Sequence, residues 1–410
     1  MLKNYIKLTW KMMMRRKAFT AITLIVIALY LMMISTFATF SDLAMNNYAP
    51  DVNKLNTLQI GEITIMEDGD RYYNNGFSIY ALENYISKLE EPELIAWHAS
   101  PGVYAKKDHH RFMAELVSPN FWELLEFEFL EGRPFSSEEV KAQRQVCVIT
   151  DMIRKHFFGD EEAYGKTIEL VNGTYKVIGV IKDVHSFSQF NTHIIFPYTL
   201  NNLFFSPSTE FVLAGEFRVL LKAGDISDFD AIKAEYAALL PRLKAEYLPE
   251  PEKYFHSEVQ SPWEYASIIG NMPLDVMIIL SFLFLALPAS SLLNINVSRI
   301  MERYSEIGIR KAFGASSGKL VRQFLVENIL FSLIGGFLGF ILTWVVIKGF
   351  VLVLSLQSNL DSPRFPEDTW IFNWRVLLAM VIFSMLYGAA TGVYPAWRMS
   401  RVHPIKALKA

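Results

Sequence analysis

The sequence predicts a membrane protein of four transmembrane α-helices, with one large α+β extracytoplasmic domain inserted between helices 1 and 2. Three observations carry that fold class. Of 410 residues, 52% are hydrophobic and 20% charged, too apolar for an ordinary soluble domain and too polar for a chain embedded throughout. Four apolar runs each approach the length that crosses a hydrocarbon core of roughly 30 Å at about 1.5 Å per helical residue. Basic residues gather at alternate ends of those runs, an asymmetry that the net charge of −3 conceals.

Residues 1–17 hold Lys3, Lys7, Lys11, Arg15, Arg16 and Lys17 and no acidic residue. Four of these cations recur every fourth residue beside Leu2, Ile6, Trp10 and Met13, a pattern that suits an amphipathic helix on anionic lipid as well as a plain extension of the first span. Residues 18–40 contain no charge and form the first span. We read them as a retained anchor, because a cleaved signal has an apolar core of only about 7–15 residues before a small-residue cleavage site. Residues 273–297, 323–347 and 374–395 are the remaining spans.

The positive-inside rule fixes the sidedness. The basic start places the N-terminus in the cytoplasm. Residues 298–322, between the second and third spans, carry Arg299, Arg303, Arg310, Lys311, Lys319 and Arg322, and the tail 396–410 carries Arg398, Arg401, Lys406 and Lys409. Both are expected to be cytoplasmic. The loop 348–373 has Arg364 against Asp361, Glu367 and Asp368 and is expected outside. Glu327 and Asp275 fall near the ends of their spans, where interfacial water would solvate them.

Residues 41–272 then form one extracytoplasmic domain, long enough to fold alone. β-Branched and aromatic runs predict strands at "NTLQIGEITI", "QVCVIT", "TYKVIGVI" and "EFRVLLKA". Phe229, Ile232, Tyr236, Leu239, Leu243 and Tyr247 make one stripe of a helix over 227–247. Shorter helices are expected over 119–127 and 151–158, capped by Ser118 and Asp151. The single cysteine, Cys147, excludes an internal disulfide and reads as buried.

Chemistry is hard to find. Asp108, His109 and His110 invite a metal, but neighbours on an extended chain point to opposite faces, so a solvated loop is the better reading. No hydrolase or metalloprotease motif occurs, and the basic residues sit where membrane topology already requires them, which removes the case for nucleic acid. "EIGIRKAFGASSGK" is no phosphate loop: only three residues separate Gly314 from Gly318, and Leu320 stands where a hydroxyl is needed. Small residues are the more telling pattern. Ser332 and Gly336, Gly335 and Gly339, and then Ser384, Gly388 and Gly392 are spaced by four, which lets helix backbones meet within a bilayer, between spans or across a dimer.

The cytoplasmic stretch "ERYSEIGIRKAFGAS" places Glu302, Glu306 and Arg310 on one helical face and Ile300, Tyr304 and Ile307 along an apolar edge. Gly314 suits its C-terminal stop, and Ser316 or Ser317 caps the helix that runs on into the third span. From its residues alone, such a helix lies on the membrane or docks a cytoplasmic partner.

This stretch resembles the signature of the MacB/FtsX-type ABC transporter permeases. The tail resembles that family's ending at Pro395, Arg398, Arg401, Pro404, Ala407 and Leu408, and "VSPNFWELLEFEFLEGRPF" and "GKTIELVNGTYKVIGVIKDV" are similar to its periplasmic core domain. The resemblance implies a multi-pass protein of the bacterial cytoplasmic (inner) membrane with both termini cytoplasmic. It implies that Glu302, Arg303, Glu306, Ile307, Gly308, Arg310, Lys311 and Gly314 dock an ABC-type ATPase. MacB carries its ATPase domain in the same chain, whereas no Walker A motif occurs here, so the ATPase is expected as two copies of a separate subunit. ATP and magnesium would be held there, with no cofactor on this chain. A second permease, identical or related, is expected, and an external adaptor, lipoprotein or hydrolase fits the family. The implied function is mechanical coupling of ATP hydrolysis to the external domain, driving export or extraction of a substrate. The alternative is an FtsX-like regulator that activates a cell-wall hydrolase without transport.

Overall fold

The structure is a computed structural model, and it describes residues 11, 13–15, 17–45, 49–67, 70–184, 188, 190–205, 212–248, 253–262, 309, 316–357 and 374–400. The chain folds as two compact units, one of Met1–Asp42, Asn271–Val353 and Glu367–Ala410, the other of Leu43–Gly270 and Leu354–Pro366.

In the first unit, α1 spans Lys17–Met45. Two further long helices belong to this part of the chain, Ser317–Gln357 and Trp374–Ser400, and are numbered α7 and α8 below. Thr20–Thr39 and Val321–Gly349 are long and apolar enough to cross a membrane, and α8 adds a shorter apolar stretch, Leu377–Ala389. The expected second span, 273–297, lies outside the described residues. The third helix continues ten residues into the expected external loop, to Gln357, because no proline or turn residue interrupts "VLVLSLQ". Each helix has a face of exposed large apolar side chains, such as Ile22, Ile25 and Leu29, Phe337, Ile341 and Trp344, and Leu378, Ile382 and Leu386. Such faces suit lipid and would be costly in water.

The second unit is the α+β domain. Its strands are β1 (Thr57–Ile60), β2 (Ile63–Glu67), β3 (Asp70–Phe77), β4 (Leu94–Ala99), β5 (Gly102–Tyr104), β6 (Arg111–Val117), β7 (Phe129–Gly132), β8 (Val146–Thr150), β9 (Thr167–Leu170), β10 (Gly173–Ile181), β11 (Ile194–Pro197), β12 (Ala214–Gly215), β13 (Arg218–Lys222), β14 (Lys253–His256) and β15 (Val259–Gln260). Its helices are α2 (Ile79–Asn84), α3 (Phe121–Leu124), α4 (Ser137–Lys141), α5 (Asp151–Phe158) and α6 (Phe229–Tyr247). The large sheet runs β15-β1-β13-β4-β6-β11-β8-β10-β7, with β5 also on β6 and β9 also on β10. The pairs β8/β10 and β6/β11 are parallel, and the others are antiparallel. A smaller sheet runs β12-β3-β2-β14.

The run "NTLQIGEITI" is therefore two strands in two sheets. The chain turns at Gly61–Glu62, and Ser257 Oγ pins that corner by donating to the Glu62 carbonyl at 2.8 Å. Tyr236 Oη of α6 donates in turn to Ser257 Oγ at 2.9 Å, so one buried chain of bonds ties helix, corner and strand. The helix expected over 119–127 is a single turn, since Leu125 is already extended. Ser118 does not cap it; its hydroxyl accepts from Trp97 N at 3.1 Å instead. Helix α5 starts after Thr150, and Asp151 sits in its first turn, where a carboxylate favours the helix dipole.

Candidate functional site

The sequence points to two places, the docking helix and the packing surfaces of the spans. Glu302, Arg303, Glu306, Ile307, Gly308, Arg310, Lys311 and Gly314 lie outside the described residues, as do Arg401, Pro404, Ala407 and Leu408. Helix α8 continues through Gly392, Pro395 and Arg398.

The packing residues come together in a three-helix core. The buried positions of α7 recur every fourth residue from Gln323 to Thr343, and those of α8 do so through Met380, Ser384 and Gly388. At two glycines, Gly339 and Gly388, backbone meets backbone, and at two more, Gly335 and Gly336, the glycine faces a side chain of the neighbouring helix. A Cβ on Gly339 would lie 2.7 Å from the Ala28 carbonyl oxygen and 2.9 Å from Met32 N of α1. A Cβ on Gly335 would meet the Ile27 side chain, with Ile27 Cβ at 2.9 Å. On the opposite flank, a Cβ on Gly388 would lie 2.8 Å from Ser332 Oγ and 2.9 Å from the Asn328 carbonyl oxygen, and one on Gly336 would strike Ser384 Oγ. Real Cβ atoms do not approach backbone so closely, so glycine alone fits at Gly339 and Gly388 without the helices moving apart.

These neighbours also give direction. Gly335 meets Ile27, Gly339 meets Met32, and Thr343 Oγ1 lies 3.2 Å from the Met32 carbonyl, so α7 and α1 run parallel. Ser332 meets Gly388 and Gly336 meets Ser384, so α8 is antiparallel to both. Tyr30 and Tyr387, ring centroids 5.0 Å apart, close the third side. Glu327, expected at the solvated end of its span, is 2% exposed and buried by protein.

The external domain holds several buried charges. Arg133 clamps Glu139 through Nη1–Oε2 and Nη2–Oε1 contacts of 2.8 and 2.9 Å, and Ser136 N adds a third bond. The guanidinium holds the Glu139 carboxyl down to about 2. Asp51 behaves oppositely: burial pushes its carboxyl up to about 6, against a Ser188 hydrogen bond and the charge of Lys54. Cys147 is fully buried in β8 and burial pushes its thiol up, which removes it as a nucleophile. Asp108 and His109 lie exposed in a turn, as expected; in addition Asp108 Oδ2 lies 3.2 Å from His156 Nε2 on α5, and the partly buried His110 ring packs on Phe112 and His156. No group of three or more His, Cys, Asp or Glu able to hold a metal ion occurs among the described residues. Nothing in the local sequence signals the meeting of residues 108 and 156; it arises from the fold of β6 against α5.

Comparison with known proteins covers both units. The MacB-like periplasmic core domain model matches residues 19–239, and the FtsX-like permease C-terminal model matches residues 278–404. The macrolide export ATP-binding/permease protein MacB of Neisseria gonorrhoeae is 28% identical over 295 residues, 71% of this chain and 42% of that protein. The uncharacterized ABC transporter permease YvrN of Bacillus subtilis is 25% identical over 311 residues, 72% of this chain and 69% of its own length. The chain thus spans less than half the length of the MacB relatives it matches. The periplasmic region of MacB from Actinobacillus actinomycetemcomitans aligns with 53% of this chain and 94% of its own, at 18% identity and a TM-score of 0.36.

Proposed function

Because the chain belongs to the MacB/FtsX-type family of ABC transporter permeases, we propose that it transmits ATP-driven movement of a separate ATPase to its own external domain. That movement drives export or extraction of a substrate at the outer face of the cytoplasmic membrane. ATP and magnesium are the partner's; two ATPase subunits and a second permease complete the assembly. Glu302, Glu306, Gly308, Arg310 and Lys311 dock the ATPase, with Gly308 permitting close backbone approach.

The observation that carries this reading is the direction of the helices. With α1 and α7 parallel, the chain between them must recross the membrane an odd number of times, and "LDVMIIL…" at 274–297 is the apolar run available. With α8 antiparallel to α1, the beginning of α1 and the end of α8 share a side, the one the basic residues assign to the cytoplasm. This supports four spans with the docking stretch facing a cytoplasmic ATPase. Relay through such a bundle needs two discrete arrangements.

The test is affinity purification of the tagged full chain from its own membranes in mild detergent, followed by mass spectrometry. A P-loop ATPase in equal amount, lost on Arg310→Glu while membrane insertion persists, is expected. Absence of any ATPase under conditions that keep other complexes intact overturns the reading. A cell-wall hydrolase bound outside, with no transported substrate, would favour the regulator instead.

A further inference from the structure

Helix α6 carries a proline in its interior, Pro241. A proline there has no N–H for the carbonyl four residues earlier, and its ring clashes with that carbonyl, so the choice is costly to the helix. Pro241 is itself exposed, so its ring gains no packing in return. The carbonyl that loses its helix donor is that of Ala237, which is also exposed and lines a groove of about 430 Å³ in the external domain. A local rule broken without a packing gain points to a functional cause.

One wall of the groove is Lys233, Tyr236, Ala237 and Leu240, spaced three or four apart along one face of α6. The other is the stretch from Ser257 to Gln260, which ends in β15. Neighbouring side chains of an extended stretch point to opposite faces, so a cavity that touches four in a row lies along the backbone edge and not over one face. Ser257 and Val259 are buried while Glu258 is exposed, as that alternation requires. Strand β15 ends the large sheet: it pairs with β1 on one side, and among the described residues no strand covers the other. The bond from Tyr236 Oη to Ser257 Oγ ties the two walls together, so the groove is formed in advance of any occupant.

We propose that this groove binds an extended peptide segment of another protein, which lies beside β15 as a further strand and donates one N–H to the Ala237 carbonyl. A strand edge on one wall and a carbonyl without its helix donor on the other call for an occupant with donors and acceptors at strand spacing, and a peptide backbone has both. The charges agree. One cation, Lys233, stands on the helix and one carboxylate, Glu258, on the facing stretch, so neither a polyanion nor a polycation is favoured. Leu240 and the Ala237 methyl offer an apolar seat for one side chain of the segment. The inference depends on the external domain alone; it goes beyond the permease reading and stands or falls separately from it.

The experiment selects a phage-displayed library of random decapeptides on the full chain in lipid nanodiscs, with counter-selection on Ala237→Arg, which fills the groove from an exposed position. The enriched peptide, synthesised with a fluorescein label, is then titrated by fluorescence anisotropy. Ala237→Arg is expected to weaken binding about tenfold or more at an unchanged melting temperature. Methylating every second peptide nitrogen should weaken binding about tenfold, while the remaining nitrogens tolerate it except at the one that faces Ala237, because a strand pairs along one edge through alternate residues. Pro241→Ala returns an N–H to the Ala237 carbonyl, so it should raise the melting temperature and lower affinity about fivefold, roughly the worth of one hydrogen bond. Failure to enrich any peptide over Ala237→Arg overturns the proposal, as does an affinity unchanged in Pro241→Ala. Binding indifferent to methylation also overturns it and marks a pocket for side chains or small apolar molecules. So does an enriched motif that matches this chain itself, which marks a contact between copies.

Discussion

The helix core and the external domain solve the same packing problem with opposite residues. In the domain, Tyr175, Phe112, Phe196 and Phe217 are fully buried among β-branched neighbours, and the removal of apolar surface from water drives assembly. In the helix core glycine and serine sit at the closest contacts beside a small buried cluster of Leu31, Tyr30, Phe331 and Met380, and many other large apolar side chains point outward. Lipid is as apolar as leucine, so burying leucine gains little there, and close fit with occasional hydrogen bonds must hold the helices instead. The comparison teaches that small residues at the closest helix contacts do in lipid what large buried side chains do in the domain.

The sharpest way to break that contrast is to enlarge a small residue in the bundle. Gly339→Leu should cost about 3 kcal/mol or more, because the obstructing atoms are backbone of α1 and cannot rotate away. Loss of monodisperse full-length protein in detergent is the readout, and normal recovery would show that the helices are not held by this contact. The converse change is Tyr175→Ala in the domain, expected to cost about 3–5 kcal/mol by pulse proteolysis of the full chain, while the same truncation at lipid-facing Leu386 should cost far less.

Titration sharpens the difference next, since two carboxyls of the domain have opposite signs. Asp51 binds its proton more tightly folded, so its contribution is complete below about pH 4 and is lost as pH rises through about 6. Asp51→Asn should therefore raise stability at pH 7.5 by on the order of 2 kcal/mol and leave pH 4 nearly unchanged. Glu139 binds its proton less tightly folded, so its contribution is present above about pH 4.5 and is lost as pH falls towards about 2. Because Arg133 is half exposed, Arg133→Gln should cost only about 1 kcal/mol at pH 7. Equal pH slopes for wild type and Asp51→Asn between pH 4 and 7 would refute the assignment. The smallest expected effect is Thr343→Val. It removes the bond to Met32 and should cost about 0.6 kcal/mol, seen as a slight fall in the detergent melting temperature.

Legibility in the sequence follows the physics of each unit. The first and third spans are visible because length and apolarity are properties of a segment by itself. Strands β8, β10 and β13 are legible as buried apolar runs, and α6 as a stripe of period 3.6. Strand β3, "DRYYNNGF", carries polar residues that disfavour strands, and only its neighbours β2 and β12 make it one. The one-turn α3 reads too long in the sequence because Ser118 looks like a cap, whereas its hydroxyl serves Trp97. The spacing of small residues is legible, but whether it faces another span or a second copy is not, since spacing fixes a helix face and not its occupant.

By itself, the sequence determined which segments could leave water, which ends carry the basic residues, and which helix faces are small enough for backbones to touch. Each is a property of neighbouring residues and needs no fold. Only the tertiary structure decided that Gly335 and Gly339 receive α1 while Ser332 and Gly336 receive α8, that α1 and α7 run parallel, and that Glu327 is enclosed. Those facts depend on meetings between residues some 50 to 300 positions apart, and the physical reason they escape the sequence is that register between helices is set by mutual fit.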